Sequence, residues 1–184
     1  ASKIGADQLA ISYNKSFDLP ISILRPFNTF GPRQSLRAII PTIITQFLDD
    51  RLKKIKIGNV NVTRDFNYID DTVEAFISTI KAKNIIGEVI NIGTGRETSI
   101  KDLLKTVGEI TKSKKVIKQE KIRVRNKATE VDRLCASNLK AKKLLKWRPR
   151  FHTKSGFVEG LKMTISWFEK KENIKKFKTN FYNI

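Results

Sequence analysis

The stretch ILRPFNTFGPRQ, residues 23–34, changes its chemistry partway along. Ile23 and Leu24, with Ile21 just before them, form the short apolar run of a buried strand. After Arg25, two prolines and a glycine (Pro26, Gly31, Pro32) read as loop chemistry directly beyond the strand end. In open α/β sheets, ligands bind in the crevice outside the carboxyl ends of the strands. PFNTFGPRQ is therefore a candidate binding loop, provided the rest of the chain supplies such a sheet.

Working outward, it does. Ahead of this stretch, Ala6, Leu9, Ala10, Tyr13 and Phe17 recur at helical spacing, predicting an amphipathic helix from the start to about Ser16. Behind it, a helix beginning near Pro41 buries Ile43, Ile44, Phe47 and Leu48, since proline is tolerated in a first turn. Ile55 and Ile57 alternate with lysines as a half-buried strand closed by Gly58 and Asn59. The segment TRDFNYIDD leads into a helix with Asp71 as N-cap, Glu74 three positions on, and Val73, Phe76, Ile77 and Ile80 as the buried face. Val89, Ile90 and Ile92 make another strand, and the turn GTGR follows. Ser99 caps a helix burying Ile100, Leu103, Leu104, Val107 and Ile110. A basic strand around Val116 and Ile117 precedes the irregular stretch RVRNKATEVDR. Two helices, Leu139 to Leu145 and Phe157 to Phe168, flank WRPRF. Strands alternating with helices predict an α/β fold with a parallel component.

Composition narrows the chemistry. One cysteine, Cys135, and one histidine, His152, exclude a disulfide within the chain and metal sites built from several thiolates or imidazoles, so no metal is expected. No apolar run approaches the ~18 residues of a membrane span, and a reduced, cytoplasmic setting is the expectation. The net charge of +19 would suit nucleic acid, but the lysines are spread over nearly every segment alongside abundant Asn and Ile. A nucleic-acid-binding module is thus the lesser reading. A basic cleft for a diphosphate is the better one.

Gly93 to Arg96 lacks both the third glycine of a dinucleotide fingerprint and the GK[ST] ending of a P-loop, so by itself it is a turn. Arg33, Arg64 and Arg125 all lie in or beside loops. The planar two-pronged guanidinium holds phosphate well, and three of them converging would suit a nucleotide diphosphate.

The pieces ASK (1–3), ILRPFNTFGPRQ (23–34), IIPTII (39–44), IKIG (55–58), TRDFNYIDDT (63–72), GEVINIGTGR (87–96), SNLKAKKLLKWRP (137–149) and EGLKMTISWF (159–168) occur in this order. Over residues 1 to about 170 the chain resembles the C-terminal half of an extended short-chain dehydrogenase/reductase of the NAD-dependent epimerase/dehydratase group. PFNTFGPRQ with TRDFNY most resembles the nucleotide-sugar 4,6-dehydratases of legionaminic-acid and cell-surface polysaccharide biosynthesis. The resemblance implies the C-terminal part of a Rossmann-like parallel sheet interleaved with a small α/β substrate-binding domain. Residues 1–34 and 62–95 would belong to the NAD-binding domain, 35–61 and 96–170 to the sugar-nucleotide domain, and 171–184 to a tail.

It also implies roles. Lys3 would be the lysine of the YxxxK motif, its tyrosine four positions earlier and ahead of Ala1. Pro26 and Phe27 would lie against the nicotinamide of NAD, and Asn28 would bond the sugar nucleotide near its phosphates. Arg64 and Arg125 would bind the diphosphate with Arg33 nearby, Ile57 would pack on the base, and Glu130 would meet the ribose. Two positions depart from the family pattern: Asn126 follows Arg125 where proline is usual, and Ser137 stands where an aspartate is usual. The glycine-rich NAD loop and the dehydratase acid/base carboxylates would lie upstream, leaving this chain alone inactive and about as many residues again ahead of it. A UDP-sugar 4-epimerase is the nearest alternative, and a homodimer joined through a four-helix bundle is the expected assembly.

Overall fold

In the computed structural model, the described residues are 1–124, 126 and 128–175. In chain order they form α1 (Ser2–Phe17), β1 (Ile23–Pro26), β2 (Asn28–Phe30), α2 (Ile39–Leu48), β3 (Lys54–Ile57), β4 (Thr63–Arg64), β5 (Phe66–Tyr68) and α3 (Ile69–Lys81). They continue as β6 (Val89–Ile92), β7 (Thr98–Ser99), α4 (Ile100–Ile110), β8 (Val116–Gln119), β9 (Arg133–Leu134), α5 (Leu139–Leu144), α6 (Lys154–Glu169) and α7 (Lys171–Ile174), with a 3-10 turn at Lys121–Arg123.

The strands pair at long range and nearly always in parallel. β1 lies along β6, with Ile23 opposite Val89 and Pro26 opposite Ile92. β2 lies along β5 and β3 along β8, both parallel. Only β4 with β7 runs antiparallel, while β4 with β9 is parallel. Parallel pairing needs a crossover of a dozen or more residues, and the intervening helices supply it.

Two apolar clusters hold the layers together. The larger joins α2, α4 and α6 to β2, β3 and β5 through Phe30, Ile43, Ile44, Ile55, Leu103, Leu161 and Phe168. Within it Phe30 meets Phe66, Tyr68 and Phe157 edge to face, with centroids 6.4, 5.5 and 5.5 Å away. α6 comes so close that a β-carbon on Gly160 would stand 2.9 Å from Tyr68 Cδ2 and 3.1 Å from Phe30 Cζ. The smaller cluster packs Ala75, Ile90 and Ile92 against Ala141, Leu145 and Trp147.

Three local expectations need correction. Asn28–Phe30, read as loop, is a strand, because its ladder partner Phe66–Tyr68 lies far along the chain and satisfies its backbone. Asp71 does not cap α3; Tyr68 occupies the N-cap position. Asp71 is instead 1% exposed and receives the Arg150 and Phe151 backbone N–H groups at 2.8 and 2.9 Å, while Trp147 Nε1 donates to its carbonyl. Burial pushes its carboxyl pKa up, and those two N–H bonds oppose the rise. Finally, α3 buries Asp71, Thr72 and Ala75, leaving the Val73, Phe76, Ile77 and Ile80 face exposed. α1 forms as expected but buries no residue, with Leu9, Tyr13 and Phe17 outward.

Candidate active site

The site is built around a buried carboxylate that sequence reading passed over. Asp65, between β4 and β5, is 0% exposed. Its Oδ1 accepts from Thr94 N (2.9 Å) and Thr94 Oγ1 (2.6 Å), and its Oδ2 from Gly95 N (2.9 Å) and Ala136 N (3.1 Å). The GTGR turn therefore wraps a carboxylate of its own chain. Gly95 has φ +74°, and a β-carbon on Gly93 would lie 2.6 Å from Ala136 Cβ and 2.9 Å from Asp65 Oδ2. Only glycine fits there.

Asp65 locks three segments beside a cavity of about 360 Å³. Asn28 enters it from β2, its Nδ2 donating to Asp65 O at 3.1 Å. Arg64 enters from β4. Its Nη1 donates to Thr63 O (2.7 Å) and Val131 O (2.6 Å), and its Nη2 reaches Glu130 Oε1 at 3.4 Å, with side-chain exposures of 14% and 12% for the pair. β3 contributes Ile57, 3% exposed, and then Gly58, whose missing side chain leaves room for the Arg123 carbonyl. That contact is reinforced by Glu120 N donating to Ile57 O (2.8 Å) and by Arg123 Nε donating to Glu120 Oε2 (3.1 Å).

Of the residues expected at the site, Asn28, Ile57, Arg64 and Glu130 come together in this cavity from four separate segments. Arg33 does not line it; it is exposed at the tip of a turn, with φ +67° and the turn closed by Gln34 N donating to Gly31 O at 3.4 Å. Arg125 lies outside the described residues. Lys3, Pro26 and Phe27 belong to a separate face formed by α1 and the end of β1, where Asp7 pairs with Arg25 at 2.7 Å. Three lining residues were not singled out from sequence: Gln34, Arg37 and Arg123. With Arg37, Arg64 and Arg123 against Glu130, the lining carries three positive charges and one negative, a net +2. Guanidinium groups in that number suit an anion able to accept paired donors.

Parallel strands joined by helical crossovers, with an arginine-lined cavity beside them, define an α/β protein adapted to a phosphorylated ligand. Residues 1–160 match the family described as GDP-mannose 4,6 dehydratase, and the chain belongs to that family, within the NAD-dependent epimerase/dehydratase group of extended short-chain dehydrogenase/reductases. Among similar proteins, a human dTDP-D-glucose 4,6-dehydratase is 33% identical over 184 residues, covering 97% of this chain and 49% of that protein. A UDP-glucuronate 4-epimerase of Thermodesulfobacterium geofontis is 32% identical over 180 residues, covering 97% of this chain and 52% of its own length. The solved UDP-glucuronic acid 4-epimerase from Bacillus cereus, in complex with UDP-glucuronic acid and NAD, superposes with a TM-score of 0.80 at 33% identity, covering 91% of this chain and 51% of the other. The chain thus spans about half the length of these relatives.

Proposed function

We propose that this chain is the C-terminal portion of an NAD-dependent nucleotide-sugar 4,6-dehydratase, which converts a UDP- or GDP-linked GlcNAc-type sugar to its 4-keto-6-deoxy form. The convergence of Asn28, Ile57, Arg64 and Glu130 on one arginine-rich cavity carries this reading. In it, Arg64 and Arg125 hold the diphosphate with Asn28 beside them, Ile57 packs on the base and Glu130 meets the ribose. Arg33 lies at the rim. Residues 1–34 and 62–95 serve the cofactor and 35–61 and 96–170 the sugar nucleotide.

The face bearing Lys3, Pro26 and Phe27 suits a nicotinamide riboside. The Phe27 backbone is fixed, its N–H donating to Ile92 O (2.8 Å) and its carbonyl accepting from Thr29 Oγ1 (3.1 Å). Lys3 lies one helical turn before Asp7, on the same side of α1, and so toward the Pro26 end of β1. A cationic donor beside a rigid backbone shelf is what a ribose and an uncharged carboxamide ring require. NAD, when bound, supplies a reversible hydride acceptor for sugar C4. Lys3 grips the ribose hydroxyls and, through its positive charge, lowers the pKa of a tyrosine encoded upstream, so that the phenolate takes the C4 hydroxyl proton. With C4 a ketone, the C5 hydrogen becomes acidic and water can leave across C5 and C6. The acid and base for that step lie upstream, and this chain alone is inactive.

Incubating the enzyme that includes the upstream half with UDP-GlcNAc and GDP-GlcNAc tests the proposal. A product lighter by one water supports it. A C4 epimer of unchanged mass would support the second reading, a UDP-sugar 4-epimerase, which the epimerase relatives favour. Salt-sensitive DNA binding with no effect on either sugar nucleotide would overturn both. Legionaminic-acid synthesis, a cytoplasmic location and a homodimer are part of the same reading.

A further inference from the structure

One acceptor in the cavity has no donor. The Gln34 amide lines it next to Asn28 and Thr29, and its Nε2 donates to Thr29 O at 2.7 Å. That bond fixes which end of the amide is nitrogen, because a carbonyl can only accept. Oε1 is consequently turned away from the strand, is buried, and takes no hydrogen bond from any described residue. Buried side-chain acceptors are nearly always paired, so an orphan beside a cavity calls for a donor from whatever fills it. The side chain is held for this task from both sides, by the Thr29 carbonyl and by the Gly31–Gln34 turn.

We infer that Gln34 determines sugar specificity, its Oε1 accepting a hydrogen bond from a hydroxyl or amide N–H of the substrate's sugar ring. This inference rests on the nucleotide-sugar reading. The cavity has a direction under that reading: Ile57 and Gly58 mark the base end, Arg64 and Glu130 the middle, and Asn28, Thr29 and Gln34 the end nearest Phe27. The sugar is the part that must reach the nicotinamide, so it lies at the Gln34 end. The nucleoside diphosphate lies away from it. Gln34 therefore touches the sugar and leaves the diphosphate untouched.

The test uses the protein with its upstream half and titration calorimetry with UDP, GDP, UDP-GlcNAc and GDP-GlcNAc. Two variants are compared with wild type: Gln34→Met, which keeps length and loses both amide groups, and Gln34→Glu, which keeps an acceptor but cannot donate to Thr29 O. Losing one neutral hydrogen bond weakens binding about three- to tenfold. Gln34→Met is expected to bind the sugar nucleotide that much more weakly while binding the matching diphosphate as wild type does. Gln34→Glu, which restores the acceptor, is expected to fall between the two. Equal weakening of both ligand types, or none, would overturn the assignment and leave Gln34 a turn residue. Should wild type bind neither diphosphate nor sugar nucleotide, the nucleotide-sugar reading itself fails, an outcome distinct from a failure of the Gln34 assignment.

Discussion

Asp65 and Arg64 are neighbours in sequence with opposite tasks. Asp65 accepts four hydrogen bonds from donors 29, 30 and 71 positions away, and removing it would leave those buried donors unpaired. Asp65→Ala is expected to cost about 3–5 kcal/mol, read as a lower denaturant midpoint. Its partners' distance along the chain is also why sequence reading missed it: no local pattern links residue 65 to 136. Arg64 was legible because its motif is. Arg64→Lys keeps the charge but loses the fork, and should weaken nucleoside diphosphate binding about tenfold, measurable by calorimetry. Arg33 tests the reverse case. Its φ of +67° favours glycine, so Arg33→Gly should stabilise the turn by about 0.5–1 kcal/mol in thermal unfolding. Gln34 and Arg37 sit in irregular chain, where periodicity offers no handle.

At the level of elements, capped and strongly periodic segments were legible and short ones were not. α4 follows its signals closely: Ser99 Oγ accepts from Asp102 N at 3.0 Å, and Ile100, Leu103, Leu104 and Val107 are buried. β2, three residues long, has too few positions to display a period and is defined by its partner β5. α3 shows what periodicity cannot decide. Its apolar stripe was visible, yet the chain packs the opposite face, with Ala75 at 0% and Ile80 at 86% exposure. Our reading gives the α1 and α3 stripes to the upstream half and a second subunit. Ile44→Ala should then cost about 2–5 kcal/mol, whereas Ile80→Ala in the isolated chain should change stability by less than about 0.5 kcal/mol. The arginine–carboxylate pairs act between elements. Arg133, Arg51 and Arg123 hold the carboxyls of Glu97, Asp49 and Glu120 below their usual pKa. A depressed folded-state pKa gives stability that is present above the unfolded value of about 4 and lost as pH falls through the folded one. Thermal unfolding should therefore show a decline on acidification below about pH 4, smaller in high salt because these pairs face water.

Across the whole molecule, α/β class, parallel pairing and family membership were all readable, because the motifs fall in one fixed order over nearly the full chain. The arrangement of the cavity was not, since it joins segments from residue 28 to residue 130. The net charge of +19 says little by itself, but within the cavity the excess is concentrated on three arginines. The central claim is that these arginines hold a sugar-linked diphosphate. Calorimetric titration of the protein that includes its upstream half with UDP-GlcNAc and GDP-GlcNAc, beside an Arg64→Ala variant, tests it most directly. One of the two should bind with a 1:1 stoichiometry, and the variant should lose about a hundredfold in affinity, the loss of two charge-assisted hydrogen bonds. Binding of neither ligand, or equal binding by wild type and Arg64→Ala, would contradict the claim.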